Sequence, residues 1–257
     1  MSTTRNLIDS ARRHVNRIFN LDVVRVSGQY TLKAHIATVL SRYGVDAIID
    51  VGANEGDFAL LMRGLGFQGS IISFEPVAGA FDILARRAEQ DANWQVFNYA
   101  LGSREGPAQI NVSRFSQFSS ILDATGYGNC WENMHVEHRQ DIDVKTLDGL
   151  LAEDVVRGGT RMLLKIDTQG FDLEVFKGAA NLLPRVCCML SELSLIPLYQ
   201  GMPTYLESLA TYNEAGFLGS GFYPITRHRS LALNEVDCMM VRPDGLAGGG
   251  ISAIRKR

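Results

Sequence analysis

Ala47-Ile-Ile-Asp-Val-Gly-Ala-Asn-Glu-Gly56 sets the pattern for the rest of the chain. It begins as a β-branched run, and Asp50-Val-Gly52-Ala-Asn54-Glu-Gly56 then leads directly into the amphipathic segment Phe58–Leu65. An apolar run, a glycine turn and a helix in that order open a parallel α/β unit. A glycine in the turn lets the backbone approach a ligand with no Cβ in the way. The N–H groups of the helix start then suit a carboxylate or a phosphate. The spacing Gly-x-Asn-x-Gly is not the Gly-x-Gly-x-x-Gly of dinucleotide binders, and it suits a small zwitterion better. A plain strand–helix turn with incidental glycines is the alternative reading of these residues.

Outward from this stretch the alternation continues. Ser70-Ile-Ile-Ser-Phe74 reads as a second strand followed by a helix from Ala78 to Gln90, and Gln95–Tyr99 as a third strand. Arg161–Ile166 is a fourth strand before a helix at Leu173–Ala180. Val186–Leu190 is a fifth before a helix at Tyr205–Ala215. Asp237–Arg242 suits a last strand after the Gly-, Pro- and Arg-bearing stretch Gly219–Arg229. The pattern predicts an α/β fold with a mostly parallel sheet and helices on both faces. Between residues 100 and 147 a short strand pair is expected, then a polar, aromatic loop, Ser113–Gln140. An aperiodic segment of that length is normally functional or disordered. Residues 1–42 read as two amphipathic helices. In the first, Leu7, Ile8, Ala11, Val15, Ile18 and Phe19 share a face opposite Arg5, Arg12, Arg13 and Arg17. Such a helix can rest weakly on an anionic membrane surface; packing on the sheet or on a second subunit is the preferred reading.

With 257 residues, 46% of them hydrophobic, the chain can bury a full core. The net charge of −3 provides no basic field to draw in nucleic acid. Arg5, Asp9, Arg12 and Arg13 interrupt any apolar run near the N-terminus, so no signal peptide is expected and the expected location is cytoplasmic. Cys130, Cys187, Cys188 and Cys238 have no metal-binding spacing and read as reduced thiols.

Glu75 ends the second strand, is followed by Pro76, and lies 23 residues after Gly52. In nucleotide-binding sheets an acid at about that distance accepts hydrogen bonds from ribose hydroxyls. Asp50–Gly56, Phe74-Glu75-Pro76, Ala100-Leu-Gly102, Ser119-Ser120, Val144-x-Thr146-Leu-Asp148 and Lys165-Ile-Asp167-x-x-Gly170 occur in one order. With these motifs the chain resembles the FkbM family of S-adenosylmethionine-dependent methyltransferases, from about residue 46 to residue 218. The resemblance implies a Rossmann-like class I methyltransferase sheet with a terminal antiparallel strand, and O-methylation. It also implies a cofactor site of Asp50, Gly52, Asn54, Gly56, Glu75, Pro76, Ala100 and Leu101. Gly52 and Asn54 would lie near the amino-acid end, Glu75 at the ribose, and Ala100 and Leu101 beside the adenine. The expected organisation is a helical extension over 1–45, a methyltransferase domain over 46–245 and a flexible tail over 246–257, with 113–140 as substrate loop.

Methyl transfer from a sulfonium needs alignment, which supplies about 7–11 kcal/mol in good cases. For an alcohol acceptor it also needs a base, typically contributing roughly 10²–10⁴-fold. Asp167, where the fourth strand ends, is the leading candidate. Lys165 lies two residues earlier on the same strand face, so a buried Lys–Asp pair that merely fixes the strand end is the competing role. Gln169, where many family members carry Glu, is not the base, because an amide accepts no proton at neutral pH. Glu192 is the second candidate. A divalent cation on Asp167 and Glu192 is conceivable because hard cations take carboxylate oxygens, but the ligand set is incomplete and a metal is not favoured. Ser119, Ser120, Trp131, His135 and His138 are the candidate substrate residues, with a sugar, glycan or related natural product as the expected acceptor. On a helix, the His135-x-x-His138 spacing would set both imidazoles on one face; a polar surface loop is the plainer reading. A non-catalytic cofactor-binding protein of the same fold is the second functional reading. A nicotinamide oxidoreductase is disfavoured by the glycine spacing.

Overall fold

The computed structural model describes residues 31–156 and 159–246, together with Ile18. The first expected helix, Ile18 apart, and the expected tail from residue 247 onward lie outside the described residues. The second expected helix is α1, Leu32–Tyr43, started by the Thr31 hydroxyl accepting the Ala34 N–H and ended by Gly44 at φ 57°.

β1 (Ala47–Val51), β2 (Ser70–Phe74), β3 (Trp94–Phe97), β7 (Met162–Ile166) and β8 (Val186–Ser194) are parallel. β10 (Leu233–Val241) runs antiparallel to β8, and β9 (Leu218–Arg227) antiparallel to β10. The sheet order is β3-β2-β1-β7-β8-β10-β9. α1, α2 (Asp57–Gly64) and α3 (Ala78–Ala88) cover one face, where Ile48, Ile71, Leu163 and Leu190 pack with Ile36, Met62 and Leu84. α4 (Leu147–Ala152), α5 (Asp172–Lys177) and α6 (Tyr205–Glu214) cover the other, around Ile49, Phe74, Leu164 and Ile166. Successive strand residues point to opposite faces, so strands buried on both read as unbroken apolar runs. That is why β1, β2, β7 and β8 are legible in the sequence within a few residues of their ends.

Order reverses between β1 and β7, and a doubly wound sheet opens a crevice at the carboxyl ends of its strands at such a point. The glycine turn after β1 and Asp167 after β7 both fall there.

One sequence expectation is corrected, and one stretch gains an assignment. The sequence indicates no element for Gly219–Arg229, but residues 218–227 form β9. It is an edge strand with no apolar alternation, and an edge is where a sheet tolerates Pro224. The region 113–140 is not wholly a loop. β5 (Gly106–Ser113) pairs antiparallel with β6 (Val136–Lys145), and β4 (Ala100–Leu101) lies parallel to β6. The loop is therefore 114–135, carrying three short 3-10 turns. β6 escapes a sequence reading because its first half is exposed on both faces; only Ile142 and Val144 are buried.

Candidate functional site

At the switch point lies a cavity with about 610 Å³ of empty space, its open mouth included. Its wall comes from the ends of β1 and β2, from Ala100 and Leu101, from the loop after β5 and from the turn after β7. Of the expected cofactor residues it contains Gly52, Asn54, Glu75, Pro76, Ala100 and Leu101.

Glu75 is buried, and its carboxyl accepts the Asn54 N–H and the Val77 N–H, each at 2.8 Å. Burial pushes the carboxyl up to about 7, against the pull of those two hydrogen bonds. A carboxylate offers about four acceptor positions, so each oxygen, with one N–H bound, keeps a further position. This acceptor, beside a polar glycine turn at φ 72° and 48° for Gly52 and Asn54, fits a ribose-bearing zwitterion.

Gly52 serves a purpose the spacing did not reveal. A Cβ there would stand 1.8 Å from the backbone oxygen of Asp167. Its smallness lets the β1 turn close on the β7 turn rather than on a ligand. Gly56 is similar: at φ 92°, a Cβ would meet Leu84 and Trp94 at 2.8 Å, and Gly56 does not line the cavity. Asp50 does not line it either. Asp50 is fully buried, accepts the Ser73 hydroxyl at 3.1 Å and lies 3.2 Å from Lys165 Nζ.

Lys165 is likewise a brace. Its ammonium donates to the Gly52 carbonyl at 2.6 Å and lies 3.6 Å from Asp167 Oδ2. Burial opposes the charge, but Asp50 and Asp167 overcome it and raise the ammonium above its ordinary range. Lys165 thus ties the glycine turn to both acids. Asp167 lines the cavity, and its Oδ1 accepts the Gln169 side-chain amide at 3.1 Å. Glu192 stands outside the cavity wall; the same amide reaches its Oε2 at 2.8 Å. Burial, then the charges of Asp167, Glu235, Asp172 and Asp237, hold the Glu192 carboxyl well above the carboxylate range. Among the described residues no group of three or more His, Cys, Asp or Glu is arranged to hold a metal ion.

The expected substrate residues separate into two sets. Ser119 and Ser120 line the cavity, although both hydroxyls are engaged: Ser119 accepts the Ser113 N–H, and Ser120 donates to the Gln169 carbonyl at 2.7 Å. Trp131, His135 and His138 do not line it. Trp131 sits edge-on to Phe118 and Tyr127 in a small aromatic core with Met134, Leu198 and Tyr199. His135 and His138 are exposed, and His138 lies in β6 opposite Val112 rather than on a helix. Among the lining residues given no site role in the sequence, three bear on the geometry. Tyr99 follows β3. Ser116 donates to Asn54 Oδ1 at 3.0 Å, tying the loop to the glycine turn. Gln169, set aside as a base, joins the two acids.

Against known proteins, the family model described as the methyltransferase FkbM domain matches residues 50–218. Methyltransferase 1 of Beauveria bassiana (strain ARSEF 2860) is 28% identical over 144 residues, covering 51% of this chain and 57% of that protein. Methyltransferase sdnD of Sordaria araneosa is 27% identical over 153 residues, covering 51% and 59%. The chain thus spans a little over half the length of these curated relatives. A solved methyltransferase FkbM from Methylobacillus flagellatus KT aligns with a TM-score of 0.46 at 15% identity, over 76% of this chain and 43% of that one. The match of the family model over most of the domain places the chain in the FkbM methyltransferase family.

Proposed function

We propose that this protein transfers a methyl group from S-adenosylmethionine to a hydroxyl of a sugar, glycan or related polyol natural product. The observation that carries the reading is one cavity lined by the glycine turn, the Glu75 carboxyl, Ala100, Leu101 and Asp167 together. Bound there, the cofactor would supply an activated sulfonium methyl. Asn54 and Gly52 would hold its amino-acid end, Glu75 its ribose hydroxyls, and Ala100 and Leu101 its adenine. Asp167, which lines the same cavity, would take the acceptor's proton, with Lys165 bracing its carboxyl at 3.6 Å. Ser116, Gln117 and Ser119 add polar lining groups suited to hydroxyls.

The reading is tested with radiolabelled cofactor against nucleotide sugars, short glycans and macrolides. Label in the sugar or glycan fraction is expected. Label confined to lipid, protein or nucleic acid, or absent while S-adenosylhomocysteine binds, would overturn it, the last favouring a non-catalytic binding protein.

Glu75 gives a pH test. Its folded carboxyl titrates near 7 against an ordinary 4.5, so the folded chain holds this proton more tightly than the unfolded one. Between those values stability from this group declines as pH rises. Ribose hydroxyls donate to the ionised form, so binding should strengthen over the same rise. S-adenosylhomocysteine affinity is expected to be roughly tenfold weaker at pH 6 than at pH 8, given one proton per site. In Glu75→Gln calorimetry should find weak binding with a flat profile; a wild-type profile that is itself flat would count against the ribose role.

A further inference from the structure

The Gln169 side chain stands between two acids and a phenol. Its Nε2 donates to Asp167 Oδ1 at 3.1 Å and to Glu192 Oε2 at 2.8 Å, while its Oε1 accepts the Tyr199 hydroxyl at 2.8 Å. Both amide hydrogens are therefore spent on carboxyl groups. The phenol at the other end donates to the amide oxygen and also reaches the Phe118 carbonyl at 3.0 Å. The backbone of Gln169 lies at φ 52°, a conformation costly for a residue with a Cβ, and is pinned by the Ser120 hydroxyl on its carbonyl. Gly170 follows at φ 92°. Strain of this kind persists where surrounding bonds over-determine it, and here four groups do so.

A carboxylate at position 169 would face two others within hydrogen-bonding distance. A neutral amide instead donates to both. Asp167 is then gripped at one oxygen by Gln169 and approached at the other by Lys165, which leaves it little freedom to turn toward Glu192.

We infer that Gln169 is a positioning residue, whose amide binds Asp167 and Glu192 into one unit and aims the Asp167 carboxylate into the cavity. This rests on the reading of Asp167 as the base. Gln169 takes no proton itself; it acts through Asp167. Tyr199, 30 residues further along the chain, fixes the amide in turn.

The test uses the full chain with Gln169→Met, which keeps length and loses the amide, and Gln169→Glu, which adds a carboxylate. Two readouts are needed. The first requires no acceptor: ¹³C titration of the Glu192 carboxyl, assigned by its loss in Glu192→Gln. Removing a donor that favours the ionised form should move its midpoint upward by about one unit in Gln169→Met. S-adenosylhomocysteine affinity should stay within about twofold. The second is turnover with the acceptor found in the panel. In Gln169→Met kcat should fall about tenfold or more at neutral pH, KM for the acceptor should change less than about threefold, and the acid limb of the kcat profile should move to higher pH. An unchanged Glu192 titration in a folded variant overturns the inference, whether or not any acceptor is methylated. A shifted titration with no turnover in the wild type sinks the methyl-transfer reading alone. If Gln169→Met does not fold, Gln169→Glu decides: an additional carboxyl titrating well above the ordinary range is expected, and its absence overturns the inference.

Discussion

Asp167→Asn is expected to lower methyl transfer by at least about 100-fold, the usual cost of losing a general base. S-adenosylhomocysteine affinity is expected to stay within about threefold. The substitution preserves shape, and an amide oxygen still accepts the Gln169 Nε2–H that reaches Asp167 at 3.1 Å. What disappears is a group that can take a proton from an acceptor in the cavity that Asp167 lines. Circular dichroism and calorimetry should match the wild type, so that the loss is confined to kcat. If turnover survives, Glu192 becomes the base, or a divalent cation acidifies the hydroxyl. A chelator separates these, because only the second would then be inhibited.

Gly52→Val is expected to unfold the glycine turn rather than merely to block a ligand. The new Cβ would overlap the Asp167 backbone oxygen at 1.8 Å, and Val would be forced to φ 72°. Overpacking and left-handed strain each cost about 1–3 kcal/mol, so a total of about 2–6 kcal/mol is expected. For a domain of this size that lowers Tm by about 4–24 °C. Gly66→Ala is the control: φ is 87° there, but nothing stands within 4 Å of the added Cβ. It should cost only the conformational part, about 1–2 kcal/mol. If Gly52→Val keeps its Tm within about 2 °C and loses only cofactor affinity, the glycine faces the ligand and the close approach to Asp167 is not what matters.

The α/β alternation, the strands β1, β2, β7 and β8, and the place of the glycine turn, Glu75 and Asp167 at strand ends are all readable from the order of residues. Each rests on a local signal: an apolar run buried on two faces, a turn residue, an acid in register with the strand before it. The family was legible for the same reason, because its motifs are short and sit at those ends. What the residues do to one another came from packing across the chain. Gly52 and Asp167 are 115 positions apart, and their near-contact follows from β1 lying beside β7. Gln169 looked inert in the sequence because an amide accepts no proton; its two carboxyl partners and Tyr199 come from the turn after β7, from β8 and from the segment after β8. Trp131 and the two histidines looked like binding groups because aromatic and polar residues in a long loop carry no periodicity to give their direction. Packing gave it, turning Trp131 into a small core and leaving the imidazoles outside the cavity. β6 and β9 were unreadable since a strand largely exposed on both faces or at an edge has little burial pattern to impose on its residues; backbone pairing with β4, β5 and β10 sets their place.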